Sequence, residues 1–385
     1  MTKRKIIVFS TVIGIVLTTL IITNYLNSDG VVIASGKSEE SVNSKTFSLM
    51  LETSAGSGEY QVSTDTTWPG SGYEYNENLS SCENGSTLIW NEDTRSVTLK
   101  ANISDKCYLY FDKKLTVADI CNNNDNFVNC IKEYYNLTGD NYSDLYYHDG
   151  IGEYINSDQE AGDNSYRYSG ANPNNYICFG TTGINCLDEN NQYRIIGIFE
   201  DKIKIIKKTS YGTYSWDITS NTWSTSTLNN TLNSTYLNSF DNVWQEMITF
   251  NSWKIGGMNY SNGTGIPKSV YNYEVVANNN SIYDSKIGLM YVSDYGYAAS
   301  PDYWQLSLRN YQTANENNWL YTYYDEWLIS RATVDSSSVF FVNAAGVNTN
   351  LMTSSHNIRP TFYLNQNILY LNGTGTQNDP YIIGM

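Results

Sequence analysis

Residues 327–383 alternate between short apolar runs and turn residues, and this pattern constrains the fold more than any other feature of the chain. The runs at 327–331, 339–343 and 359–364 are rich in β-branched and aromatic side chains. Gly, Asn, Ser and Pro separate them, which is typical of antiparallel strands joined by turns. Gly346 lies where a hairpin between two such strands needs a residue that tolerates positive φ.

The motifs in this stretch resemble those of a known domain. They are a Trp-Leu strand at 327–328, the hairpin around Gly346, Arg-Pro-Thr-Phe-Tyr-Leu at 359–364, Gly-Thr-Gly-Thr at 373–376 and Asp-Pro-Tyr at 379–381. Together they look like an uncharacterised C-terminal domain of Firmicute cell-surface proteins. That domain is itself similar to the C-type-lectin-like fold of formylglycine-generating enzymes and of the variable proteins of diversity-generating retroelements.

The resemblance covers residues 176–385 and is most specific in the last part of the chain. It departs from the family at two places. Asn357 stands where the family often has Gly, and Arg331 stands where the usual Trp-x-x-Ser-Pro motif has Pro. The segment from Cys82 to Tyr108 also resembles the region that precedes this domain in the same surface proteins.

Residues 176–385 are accordingly expected to form a lectin-like α+β domain. Within it, 193–199 and 202–207 are predicted to pair around a turn at Glu200 and Asp201. An amphipathic helix is predicted within 216–248, and a second helix is predicted to start at Ser293. Helices followed by strands in this order favour α+β over a parallel sheet.

The N-terminus carries an uncharged apolar segment behind a short basic stub. Residues 6–26 would span about 31 Å as a helix, which is the thickness of a hydrocarbon core. Lys3, Arg4 and Lys5 precede it, and this places the N-terminus in the cytoplasm. We therefore predict a single-pass transmembrane anchor over 1–26 and a flexible spacer over 27–45. The alternative is a cleaved signal peptide, and both readings export the rest of the chain.

Between the spacer and the lectin-like domain, two further regions are expected. Short strands separated by turn clusters over 46–112 predict a small β-sandwich. Residues 113–175 are predicted to be a connector, with a helix that Thr116 caps and that runs to about 135, followed by a polar loop.

The six cysteines are an even set in a chain that is expected to be exported. Proximity in sequence favours the pairs Cys82–Cys107, Cys121–Cys130 and Cys178–Cys186, although many connectivities are possible. Zinc sites need ligands in closely spaced pairs, and the chain has no such pairs. Disulfides are therefore predicted.

The signals for catalysis are weak. The chain has two histidines, His148 and His356, and neither lies in a metalloprotease motif. The chemistry of formylglycine-generating enzymes needs a cysteine pair in the lectin-like core, but no cysteine follows Cys186. We therefore predict no enzyme activity and no cofactor, although a Ser-His-Asp arrangement in space stays open. Asp158, Glu160 and Asp163 offer oxygen ligands for calcium, but they match no EF-hand spacing.

A dense group of aromatic residues precedes the strand at 327, and rings on such a face stack on sugars or anchor protein partners. The alternative is that several of them pack in the core. The candidate ligand-binding residues are Trp319, Tyr321, Tyr323, Tyr324, Arg331 and His356.

These observations predict a membrane-anchored extracellular protein for adhesion or ligand binding, with a glycan or a surface protein as its ligand. A net charge of −16 disfavours nucleic acid as a partner. Two alternatives stay open, a structural envelope or pilus-like subunit and a cell-wall hydrolase.

Overall fold

The computed structural model describes residues 21–23, 31–35, 46–64, 68–70, 72–91, 94–100, 105–139, 144–151, 159–277 and 280–385. The chain divides into two compact units, Met1–Leu115 and Thr116–Met385. Strands account for 38% of the structure and helices for 24%. The predicted fold class, α+β behind a transmembrane helix, is therefore wrong, because β-sheet predominates.

The first unit is built from two four-stranded sheets, in the orders β1-β2-β7-β6 and β4-β3-β8-β5. Residues from both sheets, including Leu49, Leu99 and Phe111, share one buried apolar cluster. Neighbouring strands are antiparallel except for β3 and β8, which are parallel. The strands are β1 (Ile21–Thr23), β2 (Val31–Ser35), β3 (Thr46–Glu52), β4 (Tyr60–Val62), β5 (Tyr73–Cys82), β6 (Thr87–Asn91), β7 (Ser96–Lys100) and β8 (Lys106–Lys113).

The N-terminal segment corrects the prediction of a membrane anchor. Ile21–Thr23, expected inside the helix, form strand β1, which pairs with β2 from the expected spacer. In the part of the chain that the structure describes, no helix is long and apolar enough to cross a membrane. The predicted transmembrane helix and the single-pass localisation are therefore wrong, whereas the predicted membrane contact through 6–26 lies mostly outside the described residues and stays a prediction. Residues 1–20 and 24–30 lie outside the described residues.

The second unit is organised around a large antiparallel sheet in the order β15-β23-β13-β12-β10-β9, with β11 beside β12 and β18 beside β23. A five-stranded sheet has the order β14-β22-β19-β20-β21, and β16-β17 and β24-β25 form two small ladders. The strands are β9 (Leu145–His148), β10 (Ser165–Tyr168), β11 (Tyr176–Cys178), β12 (Gln192–Phe199), β13 (Lys202–Lys207), β14 (Gly212–Ser215), β15 (Ile248–Thr249), β16 (Asn251–Lys254), β17 (Ile282–Ser285), β18 (Ile287–Gly288), β19 (Glu326–Arg331), β20 (Ser338–Asn343), β21 (Gly346–Leu351), β22 (Ser355–Ile358), β23 (Thr361–Leu364), β24 (Leu369–Asn372) and β25 (Ile382–Gly384).

The helices of this unit are short. The α-helices are α1 (Val117–Ile120), α2 (Phe127–Thr138), α3 (Thr227–Thr231), α4 (Asn242–Met247), α5 (Tyr260–Gly263), α6 (Pro267–Tyr271) and α7 (Val292–Tyr297). Single turns of π-helix follow α3 at Leu232–Tyr236 and α6 at Asn272–Val276. Turns of 3₁₀-helix cover Gly183–Leu187, Glu189–Asn191, Trp223–Thr225, Leu237–Ser239, Pro301–Tyr303, Leu308–Asn310 and Asn315–Asn317.

Two predicted hairpin turns are confirmed, one in the large sheet and one in the five-stranded sheet. Strands β12 and β13 pair around Glu200 and Asp201, and Glu200 takes the left-handed φ of 57° that closes the hairpin. Strands β20 and β21 pair so that Asn343 faces Gly346, which has a φ of 125°. A side chain at Gly346 would also collide with the carbonyl oxygen of Leu308. Both the positive φ and the lack of space therefore require glycine at this position.

The predicted helix within 216–248 is broken into pieces. Phe240 takes an extended conformation after Leu237–Ser239 and ends the first piece, and α4 begins two residues later. Residues 145–148 and 165–168, which the sequence suggests are loop, form the edge of the large sheet as β9 and β10. Their short runs contain polar residues, and pairing stabilises them as strands, β10 against β12 and β9 against β10.

Disulfides are confirmed, and they join the pairs that proximity favours. Cys82 bonds to Cys107 in the first unit, between β5 and β8. Cys121 bonds to Cys130 and Cys178 bonds to Cys186 in the second unit. No cysteine is left free.

Candidate ligand-binding site

The aromatic loop, residues 321–325, is the segment that connects the buried Leu320 to strand β19. Tyr323 and Tyr324 are 77% and 64% exposed. The ring of Tyr321 lies 4.8 Å from the ring of Tyr323, centroid to centroid. Large aromatic side chains are usually half-buried or more, so two consecutive exposed tyrosines form an unusual surface.

One buried ion pair holds both ends of the aromatic loop. The Nε of Arg359 donates to Glu326 at 2.9 Å, and its Nη2 donates to the carbonyl oxygen of Leu320 at 2.6 Å. The backbone N–H of Asn357 donates to the carbonyl oxygen of Asp325 at 3.0 Å. Burial raises the pKa of the Glu326 carboxyl, and Arg359 opposes that rise. The loop therefore lies on a rigid frame, although its own rings are exposed.

The backbone of the aromatic loop is strained at its most exposed residue. Tyr323 has a φ of 64°, in the left-handed region that residues with a Cβ rarely adopt. Such a conformation costs roughly 1–2 kcal/mol for a residue other than glycine. Strain of this kind concentrates at ligand-binding sites, where the surrounding structure enforces it.

His356 lies close to Asp325 of the aromatic loop, but its ring is buried. Its ring is 8% exposed, stacks on Phe341 at 4.7 Å and meets the edge of Trp327 at 4.3 Å. The amide of Asn350 lies 3.0 Å from Nε2, and Asp325 lies 3.8 Å from Nδ1. Burial lowers the pKa of His356, and Asp325 opposes that effect. His356 is therefore a packed ring close to Asp325, and it is not itself exposed for ligand contact.

The other two candidate residues lie elsewhere. Trp319 is buried, its indole N–H donates to the carbonyl oxygen of Tyr168 at 2.8 Å, and the guanidinium of Arg194 covers its ring at 4.8 Å. Arg331 ends strand β19, about 20 Å from Asp325 at the usual rise of a strand. The structure thus groups Tyr321, Tyr323 and Tyr324, places His356 next to them, and separates Trp319 and Arg331.

The second unit also contains a buried group of charged side chains that the sequence analysis did not predict. This charge cluster consists of Asp163, Arg167, Lys204, Glu274 and Asp294, and Lys204, Glu274 and Asp294 are at most 2% exposed. Arg167 pairs with Asp163 at 2.5 Å, and Lys204 pairs with Asp294 at 2.5 Å. Lys204 is the residue that could have revealed this cluster from the sequence, because it is a charged residue inside the otherwise apolar run Ile-Lys-Ile-Ile.

The charge cluster also bears on the possible calcium ligands. Asp163 accepts hydrogen bonds from Ser165 and from Arg167. Burial raises its pKa, but Arg167, His148 and the hydrogen bonds from Ser165 together outweigh this and hold the pKa at about 2. Glu160 accepts the backbone N–H of Gly150 at 2.9 Å. Asp158 lies outside the described residues. The carboxylate of Asp163 pairs with Arg167 and is not an open ligand for calcium.

His148 is fully buried on strand β9. Its Nδ1 accepts the backbone N–H of Ala161 at 3.1 Å, and its ring packs against Tyr297 and Trp304. Burial, helped by the charge of Arg167, lowers its pKa to about 3. A neutral ring inside an aromatic wall is suited to packing, not to proton transfer with a bound ligand.

Among the described residues, one set of three potential metal ligands comes together, Cys82, Asp105 and Cys107. The disulfide between the two cysteines removes their thiolates as ligands. Asp105 accepts the backbone N–H groups of Asn84, Ser86 and Lys106. This carboxylate therefore stabilises a turn of the first unit.

No protein family, no curated protein and no solved structure matches this chain. The resemblance to the lectin-like domain of Firmicute surface proteins therefore stays a prediction.

Proposed function

We propose that this is an extracellular ligand-binding protein, of the adhesin type and without catalysis, whose binding surface is the aromatic loop. The observation that carries the proposal is the pair of exposed rings at Tyr323 and Tyr324 on a strained loop that Arg359 fixes at both ends. Three disulfides support an extracellular location, because disulfides persist in oxidising compartments.

The size of the aromatic loop favours a glycan over a protein as the ligand. A stable protein interface buries about 800 Å² per partner over roughly 20–30 residues. The loop has five residues between Leu320 and Glu326, and both of these are buried. Tyrosine rings stack on the apolar faces of sugars, and a carboxylate such as that of Asp325 accepts hydrogen bonds from sugar hydroxyls.

The negative charge of the chain favours neutral glycans over anionic ones. The chain has a net charge of −16, and Asp325, 54% exposed, directly follows Tyr324 in the aromatic loop. This field repels anionic sugars such as sialic or uronic acids. We therefore expect a neutral glycan.

A glycan array probed with the full chain tests the proposal. We expect binding to neutral glycans, and we expect the double variant Tyr323→Ala/Tyr324→Ala to lose it. Phe250→Ala is the matched control, since Phe250 is an aromatic residue with 63% exposure outside the loop. Binding that survives the double variant, or that appears only with protein ligands, would refute the glycan proposal.

A further inference from the structure

Lys204 and Asp294 lie in contact in the centre of the second unit. Lys204 is in the middle of strand β13, and Asp294 is in the first turn of helix α7. The lysine Nζ lies 2.5 Å from Oδ2 of Asp294, and the two side chains are 0% and 1% exposed. Ninety positions separate them in sequence, so the fold alone creates this contact.

Aromatic rings surround the amino group. The ring centroids of Tyr291, Tyr363, Phe199 and Trp253 lie 4.3–5.5 Å from the lysine Nζ. Burial lowers the pKa of Lys204, although Asp294 opposes that effect. In such an environment the ion pair loses its hydration, so the neutral amine of Lys204 becomes accessible.

The geometry points to a covalent cross-link at this position: we propose that Lys204 and Asp294 condense to an amide between Nζ and Cγ, with release of one water molecule. In the ion pair, a proton first moves from Nζ to Oδ2 across their hydrogen bond. The amine then attacks Cγ, the Nζ–Cγ bond forms, and the Cγ–O bond breaks. The departing oxygen takes two protons in all from the former ammonium group. The amide nitrogen keeps one proton, and net charge is unchanged.

Neighbouring groups favour this step. The Nη1 of Arg167 lies 3.8 Å from Oδ1 of Asp294, where negative charge develops when the amine attacks. The backbone N–H of Tyr291 donates to Oδ2 at 2.8 Å and fixes the carboxyl group. Holding two reactants in contact is equivalent to concentrations of about 10⁵ M or more, which offsets the usual preference for hydrolysis.

Glu274 positions the acid without touching the reacting atoms. Its carboxylate accepts the backbone N–H groups of Val292 and Ser293 at 2.9 Å each, as well as the hydroxyls of Ser293 and Ser330. These bonds fix the start of helix α7, and therefore the side chain of Asp294. The same condensation replaces two buried charges by a neutral amide, which removes the cost of burying an ion pair.

Mass spectrometry of the full chain, denatured and reduced, tests the cross-link. We expect a mass lower by one water molecule than the sequence requires. After proteolysis, we expect one branched peptide that joins the segments of Lys204 and Asp294. The variant Lys204→Met should have the full mass of its own sequence. Since the wild-type measurement is decisive alone, poor folding of that variant would not affect the test.

The exposed ion pair of Lys132 and Asp201, 2.9 Å apart, is the control in the same digest. Its two segments should appear only as linear peptides. A wild-type chain of unmodified mass, with Lys204 and Asp294 in separate linear peptides, would overturn the proposal. A branched peptide at Lys132 as well would also overturn it, because the link would then arise during handling.

Discussion

At the scale of single residues, Tyr323 combines a left-handed backbone with a side chain that faces solvent. Only glycine adopts a φ of 64° at little cost in free energy. The exposed ring of Tyr323 gains little stabilisation from packing that could offset this cost. Packing in the folded chain does not account for a tyrosine at this position, and the proposed ligand binding would account for it. The neighbouring Trp327 has no exposure at all, and nothing in the local sequence distinguishes these two aromatic positions.

We predict that Tyr323→Gly is more stable than Tyr323→Ala by about 1 kcal/mol, because only glycine relieves the left-handed strain. Chemical denaturation measures the difference. At Tyr324, whose φ is negative, the order should reverse, because glycine then only adds entropy to the unfolded chain. An alanine variant more stable than the glycine variant at position 323 would show that the strain is absent.

His148 should make stability depend on pH. Its folded pKa of about 3 lies below the unfolded value of about 6.5. The unfolded chain therefore binds the extra proton between these values, and stability is lost as pH falls from about 6.5 toward 3. The loss should approach about 1.4 kcal/mol per pH unit from this group.

The variant His148→Asn isolates this contribution, since its Oδ1 can still accept from Ala161 but cannot titrate. We expect the free energy of unfolding of this variant to fall less steeply below pH 6.5 than that of the wild type. Parallel curves for the two proteins would mean that His148 is not buried in the neutral form.

At the scale of elements, the strands with strong local signals are those that the sequence predicts. The hairpin at Glu200 has a run of β-branched residues on each side, and Gly346 marks its own turn. Strands β9 and β10 have no such run; β10 depends on pairing with β12, and β9 depends on pairing with β10. The contact between Lys204 and Asp294 is also invisible in sequence, because it joins a strand to a helix far along the chain.

The ion pair between Arg359 and Glu326 links β19, β22 and the aromatic loop. Arg359→Met leaves the Glu326 carboxylate buried without its partner, which should cost roughly 3–5 kcal/mol. Lys132→Met removes an exposed pair instead and should cost at most about 1 kcal/mol. Equal losses in chemical denaturation would contradict the buried role of Arg359.

At the scale of the whole molecule, two compact units contain all three disulfides, one in the first unit and two in the second. Cysteine spacing predicts these pairs because each closes a short loop. Hydropathy alone does not distinguish a helix from a strand, and residues 21–23, which it assigns to a helix, form strand β1 beside β2.

Binding of a neutral glycan to the aromatic loop can be measured by titration calorimetry of the full chain with a glycan identified on the array. For Tyr323→Ala/Tyr324→Ala we predict a dissociation constant at least tenfold higher than for the wild type, a loss of about 1.4 kcal/mol. Phe250→Ala should bind as the wild type does. An unchanged dissociation constant for the double variant would show that the aromatic loop is not the surface that binds the glycan.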